Sequence, residues 1–301
     1  MKIAVVLTCY NRKEKTVRCL SSLTNALAYY NSEKLGDALS IDYFLCNDGC
    51  TDGTEMAVQE LFPLDTMHII PGTGNLFWAG GMRVAWNEAL KRHSEWDYYL
   101  LINDDVEFLP NVFEELFKAE EFSKTHYGKE GVCSGLTCDP DDANKITYGG
   151  GRWKNRFLAS TEKIIYNGEP QTCDFTNANI LLVPKYVVDK IGIFHKGYHH
   201  GKADYDYSCV ASQKGIPVIL TGKACGKCEH DHIKYAFIAR KVVSMSLKER
   251  KAFYKKPINS IDDYLLFVRR TSLVRYPWVA LGRYLNLYCP KFYYKIKGIK
   301  Y

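Results

Sequence analysis

No apolar run in this 301-residue chain reaches the roughly 18 to 20 residues that a membrane-crossing helix requires, because charged side chains interrupt every candidate segment. Internal repeats and low-complexity tracts are missing too, so a repeat architecture is not expected. The N-terminus runs from Met1 straight into the strand-like Ile3 to Leu7, with no basic region or cleavage site that would mark a secretion signal. The cysteines are scattered and number eleven, an odd count that gives no disulfide framework. Together these absences point to a reducing cytoplasm.

The net charge of +6 conceals an uneven distribution. Residues 240 to 301 hold 15 Lys and Arg against 3 Asp and Glu, a local +12 that leaves −6 on the other 239 residues. A basic tail on an acidic body predicts a surface partner for the tail. In that tail Tyr264, Phe267, Tyr276, Trp278, Tyr284 and Tyr288 alternate with Arg269, Arg270, Arg275 and Arg283. Cations mixed with large aromatic side chains suit helices lying on a membrane surface, or an ordinary packed helical cap. The acidic body and the want of a nucleic-acid module argue against DNA or RNA.

The chain length fits one large α/β domain with an appendage. Ile3 to Leu7 is a short apolar run, followed by a polar turn and then Val17, Leu20, Leu23 and Leu27 at helical spacing. Ile41 to Cys46 repeats the strand pattern and ends in a Gly- and Asp-rich turn, after which Thr54 opens a helix. His68 to Ile70 and Tyr98 to Ile102 are two further strands, with a loop and helix over Trp78 to Leu90 between them. Strands alternating with helices predict a mixed, mostly parallel sheet flanked by helices. Ligands then bind in the loops at the carboxyl ends of the strands. Beyond residue 130 come turns at Asp139-Pro140 and Gly149-Gly150-Gly151, the apolar Asn179 to Val183 and a helix over Lys185 to Ile191.

Four segments in this order resemble family 2 glycosyltransferases, and the likeness runs from residue 3 to about residue 232. They are Val5 to Arg12; Asn47-Asp48-Gly49-Cys50-Thr51-Asp52-Gly53-Thr54, with Cys50 where Ser is usual; Gly74 to Gly81 followed by Arg83, as in rhamnosyltransferase-like members; and Leu101-Ile102-Asn103-Asp104-Asp105-Val106. The resemblance implies a GT-A type nucleotide-diphospho-sugar transferase fold over residues 1–239. Within it, 1–130 would bind the nucleotide-sugar and 131–239 the acceptor, with 240–301 a basic helical extension.

A nucleotide-sugar presents a flat base, ribose hydroxyls and a diphosphate, and each needs its own partner. Asp48 is expected to accept from a base imide, Thr8 and Tyr10 to line the base, and Asp104 to accept from ribose. Asn11, Asn75, Trp78, Gly81 and Asn103 complete the donor set, and Arg83 is a candidate for the diphosphate. A hard divalent cation, Mn²⁺ or Mg²⁺, takes oxygen ligands, which makes Asp105 the first metal ligand. The resemblance places His230 at a further metal position, with His232 as the alternative.

Lys202-Ala203-Asp204-Tyr205-Asp206 falls where the family has Glu-Asp-x-Asp, and the resemblance makes Asp204 the base that activates the acceptor. Ala203 replaces the usual Glu. Asp206, His199 and His200 are acceptor-side candidates. Cys225-Gly226-Lys227-Cys228 has a zinc half-site spacing, yet four ligands within eight residues close a tetrahedron poorly.

The expectation is a metal-dependent, inverting glycosyltransferase of surface-polysaccharide synthesis, cytoplasmic and peripheral at the inner face of the cell membrane. It would take a UDP- or dTDP-sugar as donor and a glycan or lipid-linked acceptor. A nucleotidyltransferase, or a non-catalytic nucleotide- or glycan-binding protein descended from a transferase, is the alternative. A Rossmann dehydrogenase is disfavoured because Gly72-Thr73-Gly74 lacks the third spaced glycine.

Overall fold

The structure is a computed structural model describing residues 1–33, 38–63, 65–155, 160–230 and 235–299. The first half alternates strand and helix: β1 (Lys2–Cys9), α1 (Lys13–Glu33), β2 (Ser40–Asn47), α2 (Thr54–Leu61), β3 (Met67–Pro71), α3 (Phe77–Leu90), β4 (Tyr98–Ile102), β5 (Glu107–Phe108) and α4 (Val112–Tyr127). The middle is richer in strands: β6 (Val132–Cys138), β7 (Ile146–Tyr148), β8 (Gly150–Asn155), β9 (Ser160–Lys163), β10 (Gln171–Thr172), β11 (Phe175–Thr176), β12 (Ile180–Pro184), α5 (Lys185–Ile191), α6 (Ala203–Gln213) and β13 (Val218–Lys227). Helices close the chain: α7 (Tyr235–Ser244), α8 (Leu247–Lys255), α9 (Ile261–Thr271), α10 (Tyr276–Tyr288) and α11 (Pro290–Ile296).

The main sheet has the order β10-β13-β6-β12-β4-β1-β2-β3. Strands β3, β2, β1 and β4 are mutually parallel, β12 runs antiparallel to both β4 and β6, and β6 pairs parallel with β13. The period of two along β1 builds two cores. Ile3, Val5, Leu7 and Cys9 face α1 and α4, while Ala4 and Val6 face α3. Both faces of β1 are covered, which explains why it reads as an uninterrupted apolar run and not as an alternating one.

The carboxyl ends of β1, β2 and β4 gather the first, second and fourth of the motif loops. The third, between β3 and α3, is drawn against the second: a Cβ added to Gly72 would lie 2.7 Å from the Asp48 Cα, so only glycine lets the two loops approach. Helix α9 is no detached tail. It contributes Phe267 and Val268 to the same core as Trp86, Phe194 and Tyr207, whereas α7 and α11 share a small separate cluster around Tyr294. Among the described residues no helix is long and apolar enough to cross a membrane.

Candidate functional site

A cleft of about 370 Å³ opens at the carboxyl edge of the parallel strands, lined by Thr8, Cys9, Tyr10, Arg12, Asp48, Gly74, Asn75, Phe77, Trp78, Asp104 and His200. Six of the ten expected donor-side residues are therefore brought together here, joined by one expected on the acceptor side, His200. The other four, Asn11, Gly81, Arg83 and Asn103, have structural partners close by.

The strand-end acid pair is organised by Arg12, a residue the sequence reading did not assign a role. Its Nε donates to Asp104 Oδ2 at 3.2 Å, one terminal nitrogen binds Asp104 Oδ1, and the other donates to Asp105 Oδ2 at 3.1 Å. Thr16 Oγ1 donates to Asp104 Oδ2 at 3.2 Å from the first turn of α1. Burial raises the Asp104 pKa above the usual carboxylate range, and Arg12 opposes that rise. One guanidinium spanning two adjacent carboxylates marks a place where positive charge is held. An acidic doublet at a buried strand end needs a cation, and that signal points to the arginine of the first loop.

Asp48 is buried, and its carboxylate accepts three backbone amides of the next loop: Gly74 at 2.8 Å, Leu76 at 2.9 Å and Phe77 at 3.0 Å. Here it organises the loop that walls the cleft. Asn11 plays a similar part, with its Oδ1 accepting from the Thr51 amide at 2.7 Å and so tying the first loop to the second. Asn103 is also a fastener: its Oδ1 accepts from Trp78 Nε1 at 2.8 Å and its Nδ2 donates to Asn179 Oδ1 at 3.0 Å. Gly81 acts by its missing side chain, since a Cβ there would fall 2.1 Å from Thr8 Oγ1 and push α3 off β1.

Arg83 is turned toward the loop between α5 and α6, where it donates to the carbonyls of His195 at 3.3 Å and Tyr198 at 2.7 Å. Half-buried on α3, it meets backbone oxygens of residues 195–198, and burial lowers its pKa. That placement corrects the expected diphosphate contact.

Asp204 stands in the first turn of α6. Its Oδ1 accepts from the Tyr205 amide at 2.8 Å and its Oδ2 from the Ala178 amide at 3.3 Å. Ala178 adjoins Asn179, the partner of Asn103, so the 177–179 segment lies between the base candidate and the acidic strand end. Burial raises the Asp204 pKa, opposed by its backbone donors and by Lys202.

Asp206 requires a correction. It is 1% exposed, and Arg270 Nε of α9 donates to both of its oxygens, at 2.9 and 3.0 Å. It anchors the C-terminal helices to α6 instead of facing an acceptor. His199 is exposed, with Nδ1 3.1 Å from Asp263 Oδ1, while Asp263 Oδ2 accepts the His199 and His200 amides, each at 3.0 Å. His200 walls the cleft beside Phe77, their rings edge to face with centroids 6.5 Å apart. Burial lowers the His200 pKa, so the neutral ring is favoured there.

His230 stacks on Tyr148 at 5.7 Å, and among the described residues no three His, Cys, Asp or Glu side chains gather closely enough to hold a metal. His232 lies outside the described residues. The Cys-x-x-Cys spacing makes no half-site either: the Cys225 thiol packs on Thr221, whereas Cys228 faces Asn179 and Asp105.

Three non-glycine residues among those described hold positive φ: Asn11 at 49°, Phe77 at 56° and Lys202 at 73°. They occupy the first loop, the third loop and the turn before Asp204. Left-handed backbone in residues with a Cβ is costly, and such strain collects around functional sites.

The profile described as Glycosyl transferase family 2 matches residues 4–178, more than half of the chain. The chain belongs to this family. It is a glycosyltransferase, and its sheet and flanking helices are of the GT-A type. Two solved structures illustrate the likeness in fold. The mannosyltransferase PcManGT from Pyrobaculum calidifontis, solved in complex with GDP-Man and Mn²⁺, is 15% identical with a TM-score of 0.52, covering 99% of this chain and 83% of that one. Residues 1–349 of TarS from S. aureus are 13% identical with a TM-score of 0.52, covering 100% and 93%. A search of curated protein sequences finds no match.

Proposed function

We propose that this glycosyltransferase is metal-dependent and inverting, moving a sugar from a nucleoside diphosphate to a hydroxyl of a glycan or lipid-linked acceptor in surface-polysaccharide synthesis. The observation that carries the reading is the pairing across the 177–179 segment of an acidic strand end, bound by Arg12, with the partly buried carboxylate of Asp204. Asp204, its pKa raised, takes the acceptor hydroxyl proton as that oxygen attacks the anomeric carbon, and the diphosphate leaves from the opposite face. Arg12 supplies positive charge beside the leaving group, and Tyr10, Phe77, Trp78 and His200 enclose the donor. Residues 1–130 would hold the donor and 131–239 the acceptor, with 240–301 completing the acceptor side. A UDP- or dTDP-sugar is the donor proposed.

The residues fit a hard divalent ion without His230. Mg²⁺ and Mn²⁺ sites are commonly built from one or two carboxylates plus phosphate oxygens, and the Asp104–Asp105 doublet provides those carboxylates. Asp105 would be the ligand. Such an ion neutralises charge on the departing diphosphate when bound. The mannosyltransferase complex with GDP-Man and Mn²⁺ supports the pairing of a nucleotide-sugar with a divalent metal.

Thermal unfolding measured with UDP, dTDP and GDP, with and without Mn²⁺, tests donor and metal together. Nucleotide at a hundred times its Kd should add about 2.7 kcal/mol of stability, in a Mn²⁺-dependent manner that Asp105→Asn removes. Full turnover after thorough chelation would sink the metal assignment. Nucleotide binding without transfer or donor hydrolysis would leave only a binding protein.

Association with the membrane surface is part of the proposal. Leu273, Val274, Trp278, Leu281, Tyr288 and Phe292 are all exposed on consecutive C-terminal elements, beside the exposed Lys291 and Lys295. Exposed apolar side chains mixed with cations on the terminal helices fit an anionic lipid surface. The protein should float with phosphatidylglycerol vesicles but not with phosphatidylcholine ones, and Trp278→Ser with Leu281→Ser should abolish flotation. Equal recovery with either lipid, or with neither, would refute the electrostatic docking.

A further inference from the structure

Cys9, the last residue of β1, and Cys50, in the loop after β2, bring their sulfurs within 3.6 Å of each other. We propose that they form a reversible thiol–disulfide site, and that closing the disulfide weakens nucleotide binding in the donor cleft. The effect on the cleft rests on the transferase reading, whereas the site itself stands on the two thiols alone.

A disulfide sets its sulfurs about 2.05 Å apart, so the pair has about 1.5 Å to close. Side-chain rotation and a small displacement of the turn at 49–51 cover that distance. The two thiols are unequal. Cys9 is buried and Cys50 is only half-buried, so an oxidant in solution meets Cys50 first. With hydrogen peroxide, the Cys50 sulfur takes one oxygen to become a sulfenic acid and one water leaves. The Cys9 sulfur then attacks the Cys50 sulfur, forming the S–S bond and expelling that oxygen as a second water. Two thiols give up two protons and two electrons, and the peroxide receives both. Ser, the usual residue at position 50 of this motif, could accept the same hydrogen bond but could not be oxidised.

The bond would form where the first two motif loops are tied together. Cys50 Sγ accepts from the Asn11 amide at 3.2 Å, Asn11 Oδ1 accepts from the Thr51 amide at 2.7 Å, and the Cys50 amide donates to Asn47 Oδ1 at 2.8 Å. Inside this clasp Asn11 holds its positive φ of 49°. Drawing Cys50 onto Cys9 turns the sulfur from the Asn11 amide, and a residue in left-handed backbone loses a bond that helps to hold it there. Tyr10 and Arg12 flank Asn11, and both wall the cleft together with Cys9. A shift at residue 11 therefore reaches the aromatic ring and the guanidinium that face the donor.

The test treats the reduced full-length protein with hydrogen peroxide, blocks the remaining thiols with iodoacetamide in denaturant, and maps the tryptic peptides. Peptide 3–12, which holds Cys9, should be joined to peptide 35–83, which holds Cys46 and Cys50. Dithiothreitol should separate them, and Cys50→Ser should abolish the link although Cys46 remains. Thermal shifts with UDP, dTDP and GDP in the presence of Mn²⁺ read the consequence. The oxidised wild type should bind nucleotide about tenfold more weakly than the reduced one, the effect of losing one or two hydrogen-bonded contacts. Cys50→Ser should bind equally before and after peroxide. Peptides that fail to join, or a link that persists in Cys50→Ser, overturn the site. A joined pair with undiminished nucleotide binding, or a Cys50→Ser variant weakened as much as the wild type, overturns its effect on the cleft. A reduced wild type that binds none of the three nucleotides would instead overturn the donor reading beneath it, and the peptide map would still decide the thiol pair.

Discussion

Asp204→Asn is expected to lower sugar transfer by about 10² to 10⁴-fold, the usual contribution of a positioned general base, with nucleoside-diphosphate affinity nearly unchanged. The geometry makes this substitution informative. An asparagine oxygen at the Oδ1 position keeps the 2.8 Å bond from the Tyr205 amide, so the start of α6 is retained. Only the longer contact from Ala178, at 3.3 Å, would meet an NH₂ group in place of an acceptor. The helix survives while the proton acceptor is gone. Near-normal turnover in the variant would remove Asp204 from its role, and a joint loss of donor binding would show that the residue is structural.

The raised pKa of Asp204 adds a second readout. Burial disfavours its ionised form, so turnover should fall as pH decreases through a value above the ordinary aspartate range. Stability runs the other way. A carboxyl whose folded-state pKa exceeds its unfolded value contributes stability that is full below the unfolded pKa and is lost as pH rises through the folded one. Asp204→Asn should therefore stabilise the fold slightly at neutral pH while it lowers turnover, a combination expected of a group held for catalysis at the expense of folding.

The gathering of the motif loops was legible because each is a contiguous segment. Each motif is a strand end and its loop, and parallel pairing of β1, β2 and β4 brings them together without information from elsewhere in the chain. What could not be read was the partner of each group. The sequence shows that Asp48 ends a strand; it does not show that residues 74–77 would turn three amides onto its carboxylate. Arg12 is 92 residues from Asp104 and 93 from Asp105. Arg83 follows a glycine-rich loop, but the helix carries its guanidinium to the carbonyls of the loop between α5 and α6, an arrangement decided by packing.

Asp206 could have been placed from helical geometry alone. Two residues along an α-helix rotate a side chain by about 200°, so Asp204 and Asp206 cannot face the same site. The anchoring role of the basic tail was hidden for a different reason. Its composition announces charge and aromatic surface, yet the functional contacts are two single residues, Asp263 and Arg270, in a helix that otherwise reads as amphipathic cover.

Arg270→Met should destabilise the protein by about 3 kcal/mol, toward the lower end of the range for breaking a buried ion pair because the arginine is about one-third exposed. Met matches the aliphatic stem, so the loss comes chiefly from leaving the Asp206 carboxylate buried with its charge uncompensated. Even with Arg270 present, burial outweighs the ion pair and raises the Asp206 pKa. Without it the proton is held more tightly still, and the deficit should shrink as pH falls and Asp206 is neutralised. Urea denaturation at neutral and acidic pH measures this directly. The double variant Asp206→Asn with Arg270→Met removes both charges and should recover most of the lost stability, since a neutral amide costs far less to bury than a lone carboxylate. A single-variant loss below about 1 kcal/mol would show that solvent already screens the pair. Transfer should fall in Arg270→Met even where the fold persists, because α9 fixes α6 and through it Asp204. Donor affinity should hold, since every wall of the cleft of Arg12 and Asp104 except His200 comes from the first half of the chain. A fall in both together would mean that the helices stabilise the whole domain and do not specifically position its base.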